Sequence, residues 1–289
     1  MATEEGKISS GDISLHYVAE GPADGEPVLL LHGFPQSSYE WRYQLKALAE
    51  AGYRAVAPDL RGYNLSDRPE GIENYRMQHL IGDVGAFYQA FGWSSANLVV
   101  HDWGGAIGWL FASYRPKLVK KLVAIDIPHP VAFRKAQLQG TDQLQKSWYI
   151  WFFQAPEVPE QFFGANMDGF MQWIFQGNPN FTAEDLAYYR QMLSQPGQLT
   201  AAFNYYRANS NQQNLLSPEA TKVPPVQAPT LLIYGKEDFA FASSVWEDSA
   251  NQCAGGFRLV GLDGVGHWAV EQVPAEVTRL ILEHLKAEA

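Results

Sequence analysis

The sequence predicts an α/β protein, with a mostly parallel sheet covered by helices on both faces and a helical cap inserted into it. Three observations predict this. Apolar runs at 27–32, 53–58, 96–101 and 121–127 are nearly continuous, as strands buried on both faces are. Helical patterns at 39–51, 75–91 and 105–114 follow the first three of those runs. The alternation then stops near residue 127 and resumes near residue 229, which marks one core interrupted by an insertion.

In chain order, 7–18 shows a more polar alternation, as an edge hairpin requires. The four apolar runs and their helices follow. After the gap come a strand-like run at 230–235, a helix near 244–252, a run at 257–262 and a closing helix from Pro274, which complete the sheet and its cover. Residues 128–220 have helical periodicity, few strand signals and many Trp, Tyr, Phe and Gln side chains. Pro224, Pro225 and Pro229 mark the return to the core, because proline lacks the amide hydrogen a helix needs and biases its predecessor toward extended backbone. The expected division is a core of 1–127 and 221–289 under a cap, or lid, of 128–220.

At 289 residues the chain can bury a large core. Its formal net charge of -10, with no cluster of Lys and Arg, excludes nucleic acid as an expected partner, since such binders displace counterions with basic patches. Residues 1–11 lack the basic and then apolar order of a signal peptide, and no apolar stretch has the length of a membrane span, so no membrane anchor is expected. Cys253 has no second cysteine to pair with, which suits a reducing, cytoplasmic compartment. The histidines lack the His-Glu-x-x-His spacing of a helical zinc site, and neither metal nor organic cofactor is expected. Monomer and homodimer are both compatible with the sequence.

The run Leu98-Val99-Val100-His101 leads into Asp102-Trp103-Gly104-Gly105 and then a helix, the strand, sharp turn and helix context in which a nucleophile is presented. Where serine commonly stands there is Asp102, and no Gly-x-Ser-x-Gly occurs in the chain, which argues against a serine esterase or lipase. Gly104 and Gly105 supply small neighbours on one side, whereas Val100 is bulkier than such a turn commonly has. An aspartate before Trp-Gly-Gly-Ala also reads as a plain helix cap. Of the seven histidines, His267 stands out, in the glycine-rich loop Asp263-Gly264-Val265-Gly266-His267-Trp268 before the final helix. Neutral imidazole takes a proton from water near pH 7. Asp238 and Glu237 just past 230–235, and Asp126 at the end of an earlier run, are the carboxylates placed to orient it.

His32-Gly33-Phe34-Pro35, Asp59-Leu60-Arg61-Gly62-Tyr63, His101-Asp102-Trp103-Gly104-Gly105, Tyr234-Gly235-Lys236-Glu237-Asp238 and Gly266-His267-Trp268 fall in this order across nearly the whole chain. They resemble the motifs of the epoxide hydrolase and haloalkane dehalogenase branch of the α/β-hydrolase-fold family. The resemblance implies a sheet of about eight strands under a cap, and catalysis through a covalent ester on the nucleophile Asp102. It implies His267 as general base and Asp238 as the acid that orients it; Asp126 is the reserve, because some relatives place the acid there. It also implies an oxyanion site built from the backbone N–H groups of Phe34 and Trp103, the latter at a helix N-terminus where amides are unpaired and the dipole favours negative charge.

Asp102, Asp238 and His267 serve both reactions of the branch, so the leaving group separates them. Halide leaves as a stable anion and needs N–H donors, whereas an opening epoxide leaves an alkoxide that needs a proton. Ser147-Trp148-Tyr149 and Phe203-Asn204-Tyr205-Tyr206-Arg207-Ala208-Asn209 resemble the segments that carry paired ring-opening tyrosines in epoxide hydrolases, which implies Tyr149 and Tyr206 as donors to the epoxide oxygen. Tyr205 does not share that task, since successive helical residues face different ways. The Trp103 indole suits a halide, but Phe34 offers no side-chain donor where many haloalkane dehalogenases have asparagine, so haloalkane dehalogenase is the alternative. Haloacetate dehalogenase would need arginines where Trp103 and Ala106 stand. The expected reaction is conversion of a small apolar epoxide to a vicinal diol, with Phe34, Trp103, Trp151, Phe152 and Trp268 around the substrate. A binding protein that has kept the fold without activity is the reading from another class; the presence of nucleophile, acid and histidine candidates together ranks it last.

Overall fold

The computed structural model describes residues 3–175, 178, 180–217 and 222–287. Eight strands form one sheet: β1 (Glu4–Ser10), β2 (Ile13–Glu20), β3 (Glu26–Leu31), β4 (Tyr53–Pro58), β5 (Ala96–His101), β6 (Val119–Ile125), β7 (Thr230–Gly235) and β8 (Phe257–Leu262), in the order β1-β2-β4-β3-β5-β6-β7-β8. β1 and β2 form the expected hairpin, antiparallel to each other, and β2 lies antiparallel on β4. All remaining pairings are parallel. β4 and β5 are buried at every position, as unbroken apolar runs should be, while β1 has no buried residue and lies at the edge.

The core helices α1 (Arg42–Glu50), α2 (Met77–Phe91) and α3 (Asp102–Tyr114) precede, among the described residues, eight helices between β6 and β7: α4 (Pro130–Gln139), α5 (Thr141–Lys146), α6 (Trp148–Phe152), α7 (Val158–Ala165), α8 (Met167–Ile174), α9 (Ala183–Leu193), α10 (Gln198–Asn209) and α11 (Gln212–Leu216). Three more, α12 (Ser244–Asp248), α13 (Ala269–Gln272) and α14 (Pro274–Lys286), follow β7. Among the described residues no strand interrupts α4 to α11, and the expected return to the core at 220/221 lies outside the described residues. No helix among the described residues is long and apolar enough to cross a membrane.

Alternate strand residues point to opposite faces, so the sheet has two separate apolar covers. Leu29, Leu31, Val56, Leu98 and Val100 pack with Leu80, Val84 and Phe87 of α2 and Ile107 and Phe111 of α3. Val28, Leu30, Ala55, Val99 and Val123 pack with Leu45 and Leu48 of α1 and Val277, Leu280 and Ile281 of α14. Each fully buried Val, Leu or Ile side chain contributes about 1.5–3 kcal/mol. The inserted helices join this core through rings. Phe34, from the loop after β3, meets Phe153 at 5.6 Å, Phe170 at 6.3 Å and Phe203 at 6.0 Å between centroids.

Polar clasps add to this junction. Tyr189 of α9 donates to Glu271 of α13 at 3.0 Å, and Glu271 also receives Arg42 and Gln36. Arg42 pairs with Asp185 at 2.9 Å, and Tyr39 donates to the same carboxylate at 2.9 Å.

The starts of the first two core helices differ from the sequence reading for local reasons. The stretch expected as one helix over 39–51 divides into a 3-10 turn, Ser38–Trp41, and α1, because Asp59 at the end of β4 accepts from the Ser38 amide at 2.9 Å and fixes the turn there. The helix expected from residue 75 begins at Met77, because Tyr75 belongs to a preceding 3-10 turn and its hydroxyl is tied to the Pro69 carbonyl at 2.9 Å.

Candidate active site

β5 ends at the carboxyl edge of the sheet, and α3 begins at the next residue, so Asp102 stands on the sharp turn itself. Its φ of 44° lies in the left-handed region, which costs a non-glycine residue roughly 1–3 kcal/mol and persists only where the surroundings enforce it. Part of that enforcement is a 2.9 Å bond from the Gly104 amide to the His32 carbonyl. The bulk of Val100 is accommodated by Gly108, where an added Cβ would come within 2.7 Å of Val100 Cγ1.

The two carboxylate oxygens of Asp102 have different surroundings. Oδ1 accepts from the Phe34 amide at 2.7 Å, while Oδ2 lies 3.6 Å from Nε2 of His267. Nδ1 of the same imidazole is 2.8 Å from Oδ2 of Asp238, whose other oxygen accepts from the amides of Ala240 at 2.6 Å and Phe241 at 3.2 Å. Asp126 does not reach the imidazole. It accepts from the Gly235 amide at 2.7 Å and the Ala269 amide at 3.0 Å, clamping the end of β7 to the start of α13. Glu237 is exposed.

Burial disfavours charge on these groups, and their neighbours oppose it. For Asp102 the desolvation is outweighed by the hydrogen bond and charge of His267, which hold its carboxyl below the ordinary value. For His267 burial is likewise outweighed, first by the Asp238 charge and then by Asp102, and the imidazole is held well above its ordinary value. For Asp126 the burial and the neighbouring Asp238 charge outweigh the charges of His101 and His267 and the Gly235 amide bond, and push it up to about 7.

Asp102 opens onto a cavity of about 720 Å³ whose wall also includes Trp103, Tyr149 and Tyr206. The rings of Tyr149, on α6, and Tyr206, on α10, are 6.1 Å apart between centroids. Burial, and after it the charge of Asp102, raises both phenols well above their ordinary value. Tyr205 turns the other way and donates to the Arg61 carbonyl at 2.7 Å.

Of the aromatic residues expected around a substrate, Trp103 and Trp151 line the cavity. The other three are outside its wall. Phe34 packs against Phe153, Phe170 and Phe203, Phe152 packs against Phe162 and Phe163, and Trp268 sits against His101 and Phe175 with its indole N–H on the Ile174 carbonyl. Ile127, Phe133 and Phe241 line the cavity without having been singled out in the sequence. For Ile127 and Phe241 a signal was present, since both follow the carboxyl ends of central strands, where ligands of such sheets bind. Phe133 on α4 carries no comparable mark.

The family model described as alpha/beta hydrolase fold matches residues 26–274. The chain is 40% identical over 282 residues to AB hydrolase superfamily protein YfhM of Bacillus subtilis, covering 96% of both chains. It is 37% identical over 290 residues to Epoxide hydrolase 4 of Homo sapiens, covering 98% of this chain and 78% of that one. The solved structure of Bacillus megaterium epoxide hydrolase in complex with an inhibitor superposes with a TM-score of 0.88 at 30% identity, over 98% of this chain and 100% of the other. With these matches spanning both the sheet and the helices above it, the chain belongs to the epoxide hydrolase branch of the α/β-hydrolase-fold family.

Proposed function

We propose that this protein hydrolyses an apolar epoxide to a vicinal diol through a covalent ester on Asp102. What supports the reading most is that the Asp102 carboxylate and the two phenols Tyr149 and Tyr206 border one cavity, which offers a nucleophile and two proton donors to the same small ring. Relatives and structural neighbours named as epoxide hydrolases along most of the chain support it as well.

In the proposed scheme Oδ2 of Asp102 attacks, because Oδ1 is already engaged by the Phe34 amide. A bond forms from Oδ2 to a ring carbon as the ring C–O bond breaks, and the departing oxygen takes the proton of Tyr149 or Tyr206. Raised phenols are neutral near pH 7 and so hold that proton until it is needed. Water then loses a proton to Nε2 of His267, oriented by Asp238, and attacks Cγ of the ester. Negative charge develops on Oδ1, toward the amides of Phe34 and Trp103. Collapse breaks the Cγ–Oδ2 bond, the departing Oδ2 takes the second proton of the attacking water as the Asp102 carboxylate re-forms, the diol leaves with Oδ2 as one of its hydroxyl oxygens, and the proton on His267 restores the tyrosine. Residues 128–220 act in this scheme as the lid that carries the two phenols, and 1–127 with 221–289 as the core that carries everything else.

Two experiments test the reading. Offered styrene oxide and a bromoalkane in parallel, the purified protein should form diol without releasing bromide; bromide release with inert epoxide would establish the haloalkane dehalogenase instead. His267→Gln should complete the first step and stall at the second, so the protein gains one substrate mass on the peptide containing Asp102. Label on any other peptide, or none, overturns the scheme.

A further inference from the structure

We infer that Glu40 and His101 form a buried ion pair that positions the three loops of the active site and biases their charge. The inference rests on Asp102 and His267 acting as nucleophile and base. Neither residue of the pair has a role in the scheme above. Both are 0% exposed.

His101 is bonded through the chain to Asp102, and each of its ring nitrogens faces an acceptor. Nε2 lies 2.9 Å from the carbonyl oxygen of His267, and Nδ1 lies 2.9 Å from Oε1 of Glu40. The second contact is bent, a charge contact rather than a linear hydrogen bond. A carbonyl only accepts, so Nε2 carries a hydrogen, and a carboxylate oxygen 2.9 Å from Nδ1 favours a second proton on that nitrogen by its charge. In the inferred pair the ring is an imidazolium. Burial opposes that charge, and the Glu40 carboxylate overcomes it, raising the imidazole to about 9. Glu40 also accepts, through Oε2 at 3.4 Å, from the amide of Gly33, the residue before Phe34. One ion pair thus contacts the loop of Phe34, the turn of Asp102 and the loop of His267.

Stability does not explain the pair, because desolvating two charges costs about as much as their attraction returns. Its orientation does. The cationic end is beside Asp102 and His267, the anionic end beside Gly33. A fixed positive charge there favours ionised Asp102, as attack requires, and disfavours protonated His267, as activation of water requires. The other titratable groups that act on His101 are Asp126, beyond the end of β6, and His32, in the loop after β3; the latter is neutral, with Nε2 accepting from the Leu60 amide at 2.9 Å.

The test combines a spectroscopic and a kinetic reading on the intact chain. In protein labelled with 15N-histidine, the His101 ring, assigned by its loss in His101→Gln, should be an imidazolium at pH 8, and in Glu40→Gln it should be neutral. In rapid-mixing experiments with styrene oxide, Glu40→Gln should move the acid limb of ester formation upward by about one pH unit, a tenfold loss on the acid side, with KM within threefold of wild type. Glu40→Asp, which keeps the charge, should keep the wild-type acid limb. A neutral His101 ring at pH 8 in wild type overturns the inference, even if Glu40→Gln fails to fold. So does an unmoved acid limb in a folded Glu40→Gln, or a Glu40→Asp limb displaced like that of Glu40→Gln. Wild-type protein that opens no epoxide would instead refute the proposed function, while the nitrogen spectra would still report the pair.

Discussion

Gly33→Ala tests how closely the proposed nucleophile is held. An added Cβ would stand 2.3 Å from Asp102 Cβ and 2.5 Å from its Oδ1, about 1 Å short of the 3.4 Å at which ordinary contact begins. Asp102 has little freedom to retreat, since Oδ1 is held by the Phe34 amide at 2.7 Å and the backbone is on a strained turn. A displacement of about 1 Å at a reacting centre costs on the order of 100-fold in rate, or about 2.7 kcal/mol of barrier. Overpacking should cost a further 1–3 kcal/mol or so of stability, about 2–4 °C of Tm for each kcal/mol in a chain of this size. The assay is kcat/KM on styrene oxide at pH 7, with a thermal melt. Gly82→Ala is the control. It lies inside α2 with nothing within 4 Å of its added Cβ, and should keep full activity while gaining up to about 1 kcal/mol. Gly33→Ala with activity within threefold of wild type and an unchanged melt would refute the reasoning.

Other perturbations separate the remaining roles. Asp238→Asn presents an amide to Nδ1 of His267 and should slow ester breakdown by roughly 10²-fold or more, read as covalently labelled protein at steady state. Asp126→Asn loses an acceptor for the Gly235 or Ala269 amide and should cost about 1–3 kcal/mol in a melt while slowing breakdown less than tenfold; the reverse pattern would exchange the two acids. Asp102 is held below its ordinary value and His267 well above, so acid added between pH 8 and 5 leaves the nucleophile ionised while keeping the base protonated. The labelled fraction measured by mass spectrometry should therefore rise as pH falls; a falling fraction contradicts those assignments. Replacing Tyr149 and Tyr206 together by Phe should reduce ring opening at least 10²-fold with the melt little changed, and undiminished turnover would remove them from the scheme.

The sheet was legible because its strands are buried runs with clear ends. The spans 53–58, 96–101, 230–235 and 257–262 are β4, β5, β7 and β8 to the residue. Helix starts were less legible where a distant group intervenes, as when Asp59 captures the Ser38 amide and splits the expected 39–51 helix. The helix read from residue 105 begins at Asp102, because a left-handed φ at that residue lets the chain turn directly from strand into helix. The site divides in the same way. Motif order brings Asp102, His267 and Asp238 into view, since each follows a strand end, and the structure has them in one chain of contacts. The cavity wall was less legible. Periodicity in the aromatic insertion marks which face of a helix is apolar, but whether Phe152 or Phe133 borders the cavity depends on how helices dock, which no local pattern encodes. Glu40 was hidden for the same reason. It is an acidic residue in an ordinary turn until the fold brings it to 2.9 Å from His101.

In the proposed scheme the two half-reactions draw on different parts of the molecule. Ring opening needs the phenols on α6 and α10 at the right distance from Asp102, so it depends on how the inserted helices are seated. Ester breakdown needs only His267, Asp238 and the amides of Phe34 and Trp103, all from the core. The seat is held in part by Tyr189, whose hydroxyl donates to the buried Glu271 at 3.0 Å. Burial pushes the Glu271 carboxyl up to about 8, so near pH 7 Tyr189→Phe removes a bond to a largely neutral acceptor, worth about 0.5–1.5 kcal/mol, while Arg42 and Gln36 still hold Glu271 and with it the loop of His267. Rapid mixing should then show slower ester formation and an unchanged rate of ester decay. Slowing of decay alone, or of both steps equally, would mean that the inserted helices do not govern ring opening separately from the core, and the division of labour between phenols and imidazole would have to be abandoned.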